Sequence, residues 1–429
     1  MYHPILRPGA QRQIKKIGEA DLVIGLPTYK NTQIATQVAA VALAGARQYN
    51  PSLRTVLINA DAGSDTATRQ AIASQATNGS GPAIITGRYD GPFGPGSAVA
   101  AVLDAALALD AKAIVILDST TQTITPNWIA GLAHLILENK ADLVTARYRW
   151  ALPQGALSDL LVYPLFRALW GKNMRHPAAP DIAFSPALAV ALLDEDVWET
   201  EVASFGLPPW LSTYATLGTW RVAQSALGEK RNLLFPGSPR SPKSDARRAE
   251  TYFKSQFQHI ASVLLRLVYE YRLHWEKVNQ IDSISTLTEF ASPVESDLNS
   301  AELDPVHLLD SLAIGWIEYR NLWQQILTPD NLAWLEALAA LPFDRFYFPC
   351  DLWTRIVYDY AVVFNKGEGD PQQVIDSLLP LYQGRLAAFT QEIAGLSVVG
   401  YEGTVAAQAV EFEEQLAYLK NRWQAYQPV

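Results

Sequence analysis

The stretch AIVILDSTTQTITPNW, residues 113–128, contains an apolar run that ends in a carboxylate, Asp118, where a loop begins. Similar short apolar runs occur before and after it, and segments of helical character separate them. Such near-continuous apolar strands are typical of a parallel sheet that helices cover on both faces. The sequence therefore predicts an α/β fold with a mostly parallel sheet. The other predicted strands are DLVIGLP (21–27), RTVLIN (54–59), AIIT (83–86), ADLVTAR (141–147) and TWRVAQ (219–224).

The candidate binding residues follow the ends of these predicted strands. In open α/β sheets, ligands bind at the carboxyl ends of the strands. The candidate positions are Pro27 to Asn31, Asp61 to Asp65, Gly94 to Ser97 and Asp118 to Thr120.

The composition is that of an ordinary globular protein. The chain has 429 residues, of which 49% are hydrophobic and 18% charged, with a net charge of −9. This acidic balance argues against nucleic-acid binding, which needs a clustered basic surface. The single cysteine excludes an internal disulfide framework. Neither a signal peptide nor an apolar run long enough for a membrane span is found, so a cytoplasmic protein is expected.

The chain is predicted to contain two domains and a short extension. Residues 1–20 form the N-terminal extension, and residues 21–240 form the α/β domain. A Pro/Ser-rich stretch at 236–245 marks the boundary, and residues 246–429 form a helical domain. Helices are predicted at 98–109, 246–278, 328–341 (with Thr328 as N-cap and Pro329 as first helical residue), 351–364, 371–391 and 404–424.

Nine segments together resemble one family over nearly the whole chain. In this order they resemble the glycosyltransferases of the GT-A fold, in the mannosylglycerate and glucosylglycerate synthase group. The segments are GLPTYKN (25–31), NADAGSD (59–65), GPGSAVAAVLDAAL (94–107), LDSTTQTITPNWI (117–129), VYPLFRALWGKNMRHP (162–177), DIAFS (181–185), FGLPPWLST (205–213), DLWTRIVYDYAVVF (351–364) and LLPLYQGRLAAF (378–389).

The resemblance implies a fold, an activity and a set of ligands. The fold is a GT-A nucleotide-diphospho-sugar transferase-like domain followed by an all-helical domain. The activity is retaining sugar transfer from a nucleotide-diphosphate sugar to a small acid such as glycerate, with Mg²⁺ or Mn²⁺ as cofactor. Asp118 matches the first carboxylate of the metal motif. Pro27, Tyr29, Asp61 and Ser97 match positions that contact the nucleotide sugar.

Asp61 has a second interpretation of equal weight. An aspartate beside Gly63 can hydrogen-bond a base or ribose, but it can also cap the turn before Ser64 and Asp65. The residues alone leave both interpretations open.

Five motifs depart from the family pattern where the chemistry is expected. Pro95 replaces a lysine that reaches the diphosphate, and a proline offers neither charge nor N–H. Thr120 replaces the second metal carboxylate, and Asn232, after Gly-Glu-Lys, replaces a metal-binding histidine. Pro208 stands where the family has an active-site carboxylate. Of the family's Gly-Gly-acid, only the acid is kept, as Asp181 after Ala179-Pro180.

These departures leave two functions open. One is a glycosyltransferase that works weakly or with a rearranged site. The other is a catalytically silent relative, a pseudoenzyme that serves as a binding, regulatory or assembly module. In both cases the divalent metal is expected to be lost, because Asp118 has only Thr120 and Asn232 as partners. Losing positioned charges at a transfer centre costs orders of magnitude in rate.

Further candidates concern the acceptor and self-association. Asp181, Arg167 and Lys172 are candidate acceptor residues. Arg167 and Lys172, together with Arg175 and His176, either face an anionic acid or form a solvated helix end. The aromatic residues of the helical domain are expected in its core or at an oligomer interface. A homodimer through this domain is predicted. The aromatic residues in question are Trp353, Tyr358, Tyr360, Tyr382 and Trp423.

Overall fold

The structure, a computed structural model, contains a mixed α/β part and a helical part. Residues 64 and 65 and most of the Pro/Ser-rich boundary lie outside the described residues. The structure describes residues 2–63, 66–76, 81–150, 155–232, 242–291 and 305–427, with backbone alone at 242–249, 305 and 343.

The described elements comprise twelve strands and sixteen α-helices, and a π-helical turn at Ser158–Val162 leads into one of the helices. The strands are β1 (Ile5–Leu6), β2 (Leu22–Thr28), β3 (Thr55–Asp61), β4 (Ala83–Gly87), β5 (Tyr89–Asp90), β6 (Ala113–Ile116), β7 (Leu143–Trp150), β8 (Lys172–Asn173), β9 (Ile182–Phe184), β10 (Val222–Lys230), β11 (Asp282–Ser283) and β12 (Thr286–Leu287). The helices are α1 (Pro8–Ile17), α2 (Thr32–Tyr49), α3 (Ala67–Ala73), α4 (Pro95–Leu107), α5 (Asn127–Leu137), α6 (Tyr163–Trp170), α7 (Pro186–Leu193), α8 (Leu207–Leu217), α9 (Pro242–Glu270), α10 (Arg272–Trp275), α11 (Pro305–Ile326), α12 (Pro329–Ala339), α13 (Cys350–Lys366), α14 (Pro371–Glu392), α15 (Val398–Glu414) and α16 (Leu416–Ala425).

The main sheet has eight strands in the order β12-β10-β7-β9-β6-β2-β3-β4. All neighbours pair in parallel except at β9, which is antiparallel to both β6 and β7. The predicted fold class, a mostly parallel α/β sheet followed by helices, is confirmed. Since β9 runs the other way, its start lies beside the end of β6.

Helices cover both faces of the sheet, as the apolar strands predicted. Ile24 of β2 packs in one core cluster with Val38 of α2 and Ile129 of α5. On the other face, a Cβ added to Gly25 would lie 2.6 Å from Val102 of α4. Because side chains alternate along a strand, both faces of β2 are buried. Its one polar side chain lies at the C-terminal end of the strand.

Strand β10 contains an irregularity near its end. Its pairing with β7 shifts register between Ala226 and Gly228, and Gly228 has φ 90°. Positive φ at this value suits glycine, which has no Cβ. After the shift, Lys230 stands opposite Trp150.

The chain contains two compact units, each discontinuous in sequence. The sheet unit comprises residues 1–150, 175–259 and 284–295, and the helical unit comprises 151–174, 260–283 and 296–429. The π-helical turn, α6 and β8 therefore belong with the C-terminal helices.

Two long predicted helices are interrupted in the helical unit. The segment predicted at 404–424 divides at Gln415 into α15 and α16. The segment predicted at 246–278 divides into α9 and α10, and Tyr271 lies between them. Apolar spacing continues through both interruptions, so periodicity alone did not show them.

The aromatic residues predicted to lie in the core or at an interface are buried in the core of the helical unit. Trp353, Tyr358 and Tyr360 are fully buried, and each polar tip has a partner inside the unit. Trp353 Nε1 donates to the Leu160 carbonyl at 2.7 Å, and Tyr358 Oη donates to the Phe412 carbonyl at 2.6 Å. These aromatic side chains are thus hidden within the chain.

In the described ranges, no helix combines the length and apolar character needed to cross a bilayer.

Candidate functional site

Asp118 and Asp181 meet at the end of the central strands. Asp118 follows β6, and Asp181 directly precedes β9. Because β9 is antiparallel to β6, the start of β9 lies beside the end of β6. The backbone N–H of Asp118 donates to Asp181 Oδ1 at 2.8 Å. The topology thus brings together two carboxylates that are far apart in sequence.

Lys230, at the end of β10, places its ammonium group between these carboxylates. Its Nζ lies 2.5 Å from Asp181 Oδ2, 3.2 Å from Asp118 Oδ2 and 2.9 Å from Thr121 Oγ1. The side chain is 1% exposed. An ammonium has three N–H donors, and here three oxygens surround it. The lysine is therefore fully occupied inside the protein.

Thr120 and Asn232, the predicted partners of Asp118, do meet it, but as hydrogen-bond donors. Asp118 Oδ1 accepts from the Thr120 N–H at 2.9 Å and from Thr120 Oγ1 at 2.7 Å. Asp118 Oδ2 accepts from Asn232 Nδ2 at 2.9 Å, in addition to its ion pair with Lys230. Both carboxylate oxygens of Asp118 are consequently engaged by protein donors.

The charges in this pocket stabilise one another. Burial alone would raise the pKa of Asp118, but the Lys230 ammonium and the Thr120 hydrogen bonds bring this pKa below its ordinary value. Burial likewise opposes the charge on Lys230, but Asp118 and Asp181 raise the pKa of the lysine above 10.5. Lys230 is therefore protonated and Asp118 ionised at neutral pH.

Two aromatic side chains enclose the lysine. The Lys230 Nζ lies 5.0 Å from the ring centre of Tyr148 and 5.7 Å from that of Trp128. Tyr148 Oη donates to Asp181 Oδ2 at 2.5 Å. Burial and the negative charge of Asp181 raise the pKa of Tyr148 well above 10, so this tyrosine stays a donor. We call Asp118, Asp181, Lys230, Thr121 and Tyr148 the lysine pocket.

Lys230 and Tyr148 were not predicted as site residues from the sequence. Lys230 served there only as the marker before Asn232. The predicted strand ended at residue 224, before Lys230, so the sequence did not show that this lysine lies at a strand end, where a buried lysine needs a partner. The identity of that partner depends on the position of β9, which the sequence pattern did not predict.

The residues around Asp118 do not fit a divalent metal. Mg²⁺ and Mn²⁺ need several free oxygen ligands, preferably carboxylates, whereas the Lys230 ammonium already occupies the position between the Asp118, Asp181 and Thr121 oxygens. Across the described part of the chain, no group of three or more His, Cys, Asp or Glu residues could hold a metal. A metal at Asp118 would have to displace Lys230 or Asn232.

Asp61, a predicted nucleotide contact, is used inside the protein. Its side chain is 1% exposed and forms an ion pair of 2.7 Å with Arg69. It also accepts from Thr28 Oγ1 at 2.9 Å and from the Gly63 N–H at 3.2 Å. The contact with Gly63 is that of a turn cap, which was the second interpretation of this residue.

Tyr29 is the predicted nucleotide contact with an accessible side chain. It lies at the end of β2, where its exposed ring meets that of Phe93 edge-on at 4.9 Å. The Lys30 ammonium lies 5.2 Å from the Tyr29 ring centre. Pro27 lies within β2 and is half-buried. Of these side chains, Tyr29 has a face that a planar ligand can reach.

Backbone of a neighbouring loop covers the N-terminus of α4. Pro95 is its first residue, and the Gly96 N–H donates to the Ser204 carbonyl at 3.2 Å. A Cβ on Gly96 would lie 2.0 Å from the Val202 carbonyl oxygen. The hydroxyl of Ser97 is buried and finds no hydrogen-bond partner among the described residues. This packing leaves little room for a phosphate at the helix end.

The remaining predicted acceptor residues are already paired or neutral. In the helical unit, Arg167 pairs with Glu413 at 2.6 Å and Lys172 pairs with Asp282 at 2.6 Å. In the sheet unit, burial and the positive charges of Arg175 and Arg147 lower the pKa of His176 well below 6.5. Pro208 lies in the first turn of α8 and offers no carboxylate. Asp181 belongs to the lysine pocket.

Comparisons with known proteins give a distant likeness in structure. No family model matches the chain, and no curated protein matches it either. A crystal structure of glucosyl-3-phosphoglycerate synthase from Mycobacterium tuberculosis in complex with phosphoglyceric acid is similar, with a TM-score of 0.40 and 16% identity over 60% of this chain and 83% of that chain. The same enzyme in complex with Mn²⁺, UDP and glucosyl-3-phosphoglycerate gives a TM-score of 0.40 and 16% identity over 63% and 86% of the two chains. These values assign no activity to the present chain.

Proposed function

We propose that this protein is a GT-A glycosyltransferase-like protein that no longer catalyses metal-dependent sugar transfer. In this proposal it binds a nucleotide or nucleotide sugar through Tyr29 and acts as a binding, regulatory or assembly module. The observation that carries the proposal is the engagement of both Asp118 oxygens by Thr120, Asn232 and Lys230.

Charge in the lysine pocket supports the loss of catalysis. The carboxylates of Asp118 and Asp181 and the ammonium of Lys230 together give the lysine pocket one net negative charge. Transfer from a nucleotide-diphosphate sugar needs positive charge where the diphosphate departs. Lys230 cannot supply it, because its N–H groups face Asp118, Asp181 and Thr121.

The other replaced positions add no catalytic charge. Pro95 and Pro208 carry no ionisable group, and Asn232 turns its amide N–H towards Asp118. A retained nucleotide contact is consistent with the exposed ring of Tyr29. Aromatic faces of this kind stack on bases without strict sequence or base preference.

Titration calorimetry with UDP-glucose and GDP-mannose, with and without Mn²⁺, tests the proposal. We expect binding that Mn²⁺ changes by less than about tenfold, because no metal bridges the protein and the diphosphate. Tyr29→Ala should weaken this binding, whereas Tyr2→Ala, which replaces an exposed tyrosine outside the strand ends, should not.

Turnover assays with glycerate and 3-phosphoglycerate complete the test. We expect no steady conversion of either sugar donor. Conversion at about 1 s⁻¹ or faster, or a Mn²⁺-dependent gain in affinity of about tenfold or more, would contradict the proposal.

Restoring the missing metal carboxylate alone should not restore activity. In Thr120→Asp, Lys230 and Asn232 still engage Asp118, and catalytic groups that act as a unit are not recovered singly. We expect Thr120→Asp to remain inactive in the same assay. Mn²⁺-dependent turnover by this variant would show that one carboxylate suffices.

A further inference from the structure

We infer that the Lys230 ammonium is a built-in replacement for a divalent cation, and that removing this side chain opens a latent cation site. The inference rests on the proposed function only in treating the lysine pocket of the intact protein as free of metal. It concerns the binding of an ion and requires no turnover.

Three oxygens from separate places in the chain converge on the Lys230 Nζ. Asp118 and Thr121 lie in the loop after β6, and Asp181 precedes β9. Their distances to Nζ are between 2.5 and 3.2 Å. Two charged oxygens and one neutral oxygen, all hard donors, are the kind that Mg²⁺ and Mn²⁺ take.

These oxygens are held in place by groups other than the lysine. Asp181 accepts hydrogen bonds from the Asp118 N–H and from Tyr148 Oη. Asp118 accepts hydrogen bonds from Thr120 and Asn232. The carboxylates should therefore keep their positions when Lys230 is shortened, which leaves a prearranged site.

The pocket needs a cation of some kind. Two carboxylates side by side, of which Asp181 is fully buried, repel each other, and a buried charge without a partner is strongly destabilising. The ammonium of Lys230 satisfies this need with one positive charge and three directed N–H groups. Unlike a metal, it has no coordination position left for a diphosphate oxygen.

The test compares Lys230→Ala with the matched control Lys230→Ala/Asp181→Asn. In Lys230→Ala, both carboxylates remain and space opens for an ion with its water ligands. We expect about 1 mM Mn²⁺ to raise the melting temperature of Lys230→Ala by about 3 °C or more relative to EDTA. The intact protein and the double variant, which has one carboxylate fewer, should not respond.

Three outcomes would overturn the inference. The first is equal stabilisation of the intact protein by Mn²⁺. The second is a folded Lys230→Ala protein that Mn²⁺ does not stabilise. The third is a Lys230→Ala protein that stays insoluble with and without Mn²⁺ while the double variant folds. Sugar transfer by the intact protein without metal would instead contradict the proposed function alone.

Discussion

Burial keeps His176 neutral under conditions that would protonate a surface histidine. Burial first, and then the charges of Arg175 and Arg147, lower its pKa well below 6.5. The unfolded chain binds this proton below about pH 6.5, but the folded chain does not. The contribution of His176 to stability is therefore complete above about pH 6.5 and declines as the pH falls towards the folded pKa.

The variant His176→Asn should remove this pH dependence. Asn can keep the acceptor that His176 Nδ1 offers to the Tyr148 N–H at 3.3 Å. Between pH 7.5 and 5.5, we expect the intact protein to lose more unfolding free energy than His176→Asn, by up to about 1.4 kcal/mol. Denaturant titrations at the two pH values measure this difference, and parallel losses in both proteins would contradict the assignment.

At the residue scale, the sequence located part of the lysine pocket. Asp118 could be named because it adjoins a predicted apolar strand, and both Asp118 and Asp181 match positions of the family that the sequence resembles. Thr120 and Asn232 were named for what they replace, and the structure brings both to Asp118. Lys230 was missed because its role depends on partners contributed by distant strands.

At the scale of elements, the packing of the N-terminus of α4 against residues 202–204 gives a further prediction. A Cβ on Gly96 would lie 2.0 Å from a backbone oxygen, which cannot move as a flexible side chain can. We expect Gly96→Ala to lower the unfolding free energy by about 1–3 kcal/mol, as overpacking does. Denaturant titration measures the loss.

Gly9→Ala is the matched control for Gly96→Ala. Gly9 also lies in the first turn of a helix, α1, and nothing lies within 4 Å of an added Cβ there. Alanine favours helix over glycine, so this variant should be unchanged or more stable by up to about 1 kcal/mol. Equal effects of the two substitutions would refute the packing argument.

The apolar strands were predictable because their burial on both faces leaves a continuous hydrophobic signal. Helix α4 begins at Pro95, earlier than the predicted residue 98, because proline suits the first helical turn. Strand β9 has three residues and no such signal, yet it carries Asp181 to the site. Short antiparallel insertions of this kind are set by tertiary pairing.

At the scale of the whole molecule, the chain cannot be divided at one point near residue 240 without loss. The π-helical turn and α6 belong to the helical unit, where Leu160 accepts from Trp353 Nε1 and the Asp159 carbonyl accepts from Gln408. We expect a chain ending at residue 241 to be insoluble or to unfold without cooperativity, because these partners are missing. The full chain is the control, and cooperative melting of the shortened chain would contradict this expectation.

The predicted homodimer remains untested, and the buried aromatic residues cannot form its interface. Exposed apolar side chains of the helical unit include Ile314 and Ile317 of α11, at 61% and 85% exposure. They are three residues apart and so share one helix face. We expect light scattering to give a dimer mass for the full chain and a monomer mass for Ile314→Glu/Ile317→Glu. Val399→Glu, at another exposed position, should remain dimeric, and a monomeric intact protein would contradict the prediction.

The register shift at Gly228 determines whether β10 brings a positive or a negative side chain to the lysine pocket. With the register shift, Lys230 stands opposite Trp150. Regular pairing onward from Ala226 would instead put Glu229 opposite Trp150, beside Asp118 and Asp181. The formal charge there would then be three negatives, in place of two negatives and one positive. The positive φ of Gly228, which glycine adopts more easily than other residues, therefore places a lysine and not a glutamate beside the two carboxylates. The charged residues of the sequence are the same in both arrangements, and only the register differs.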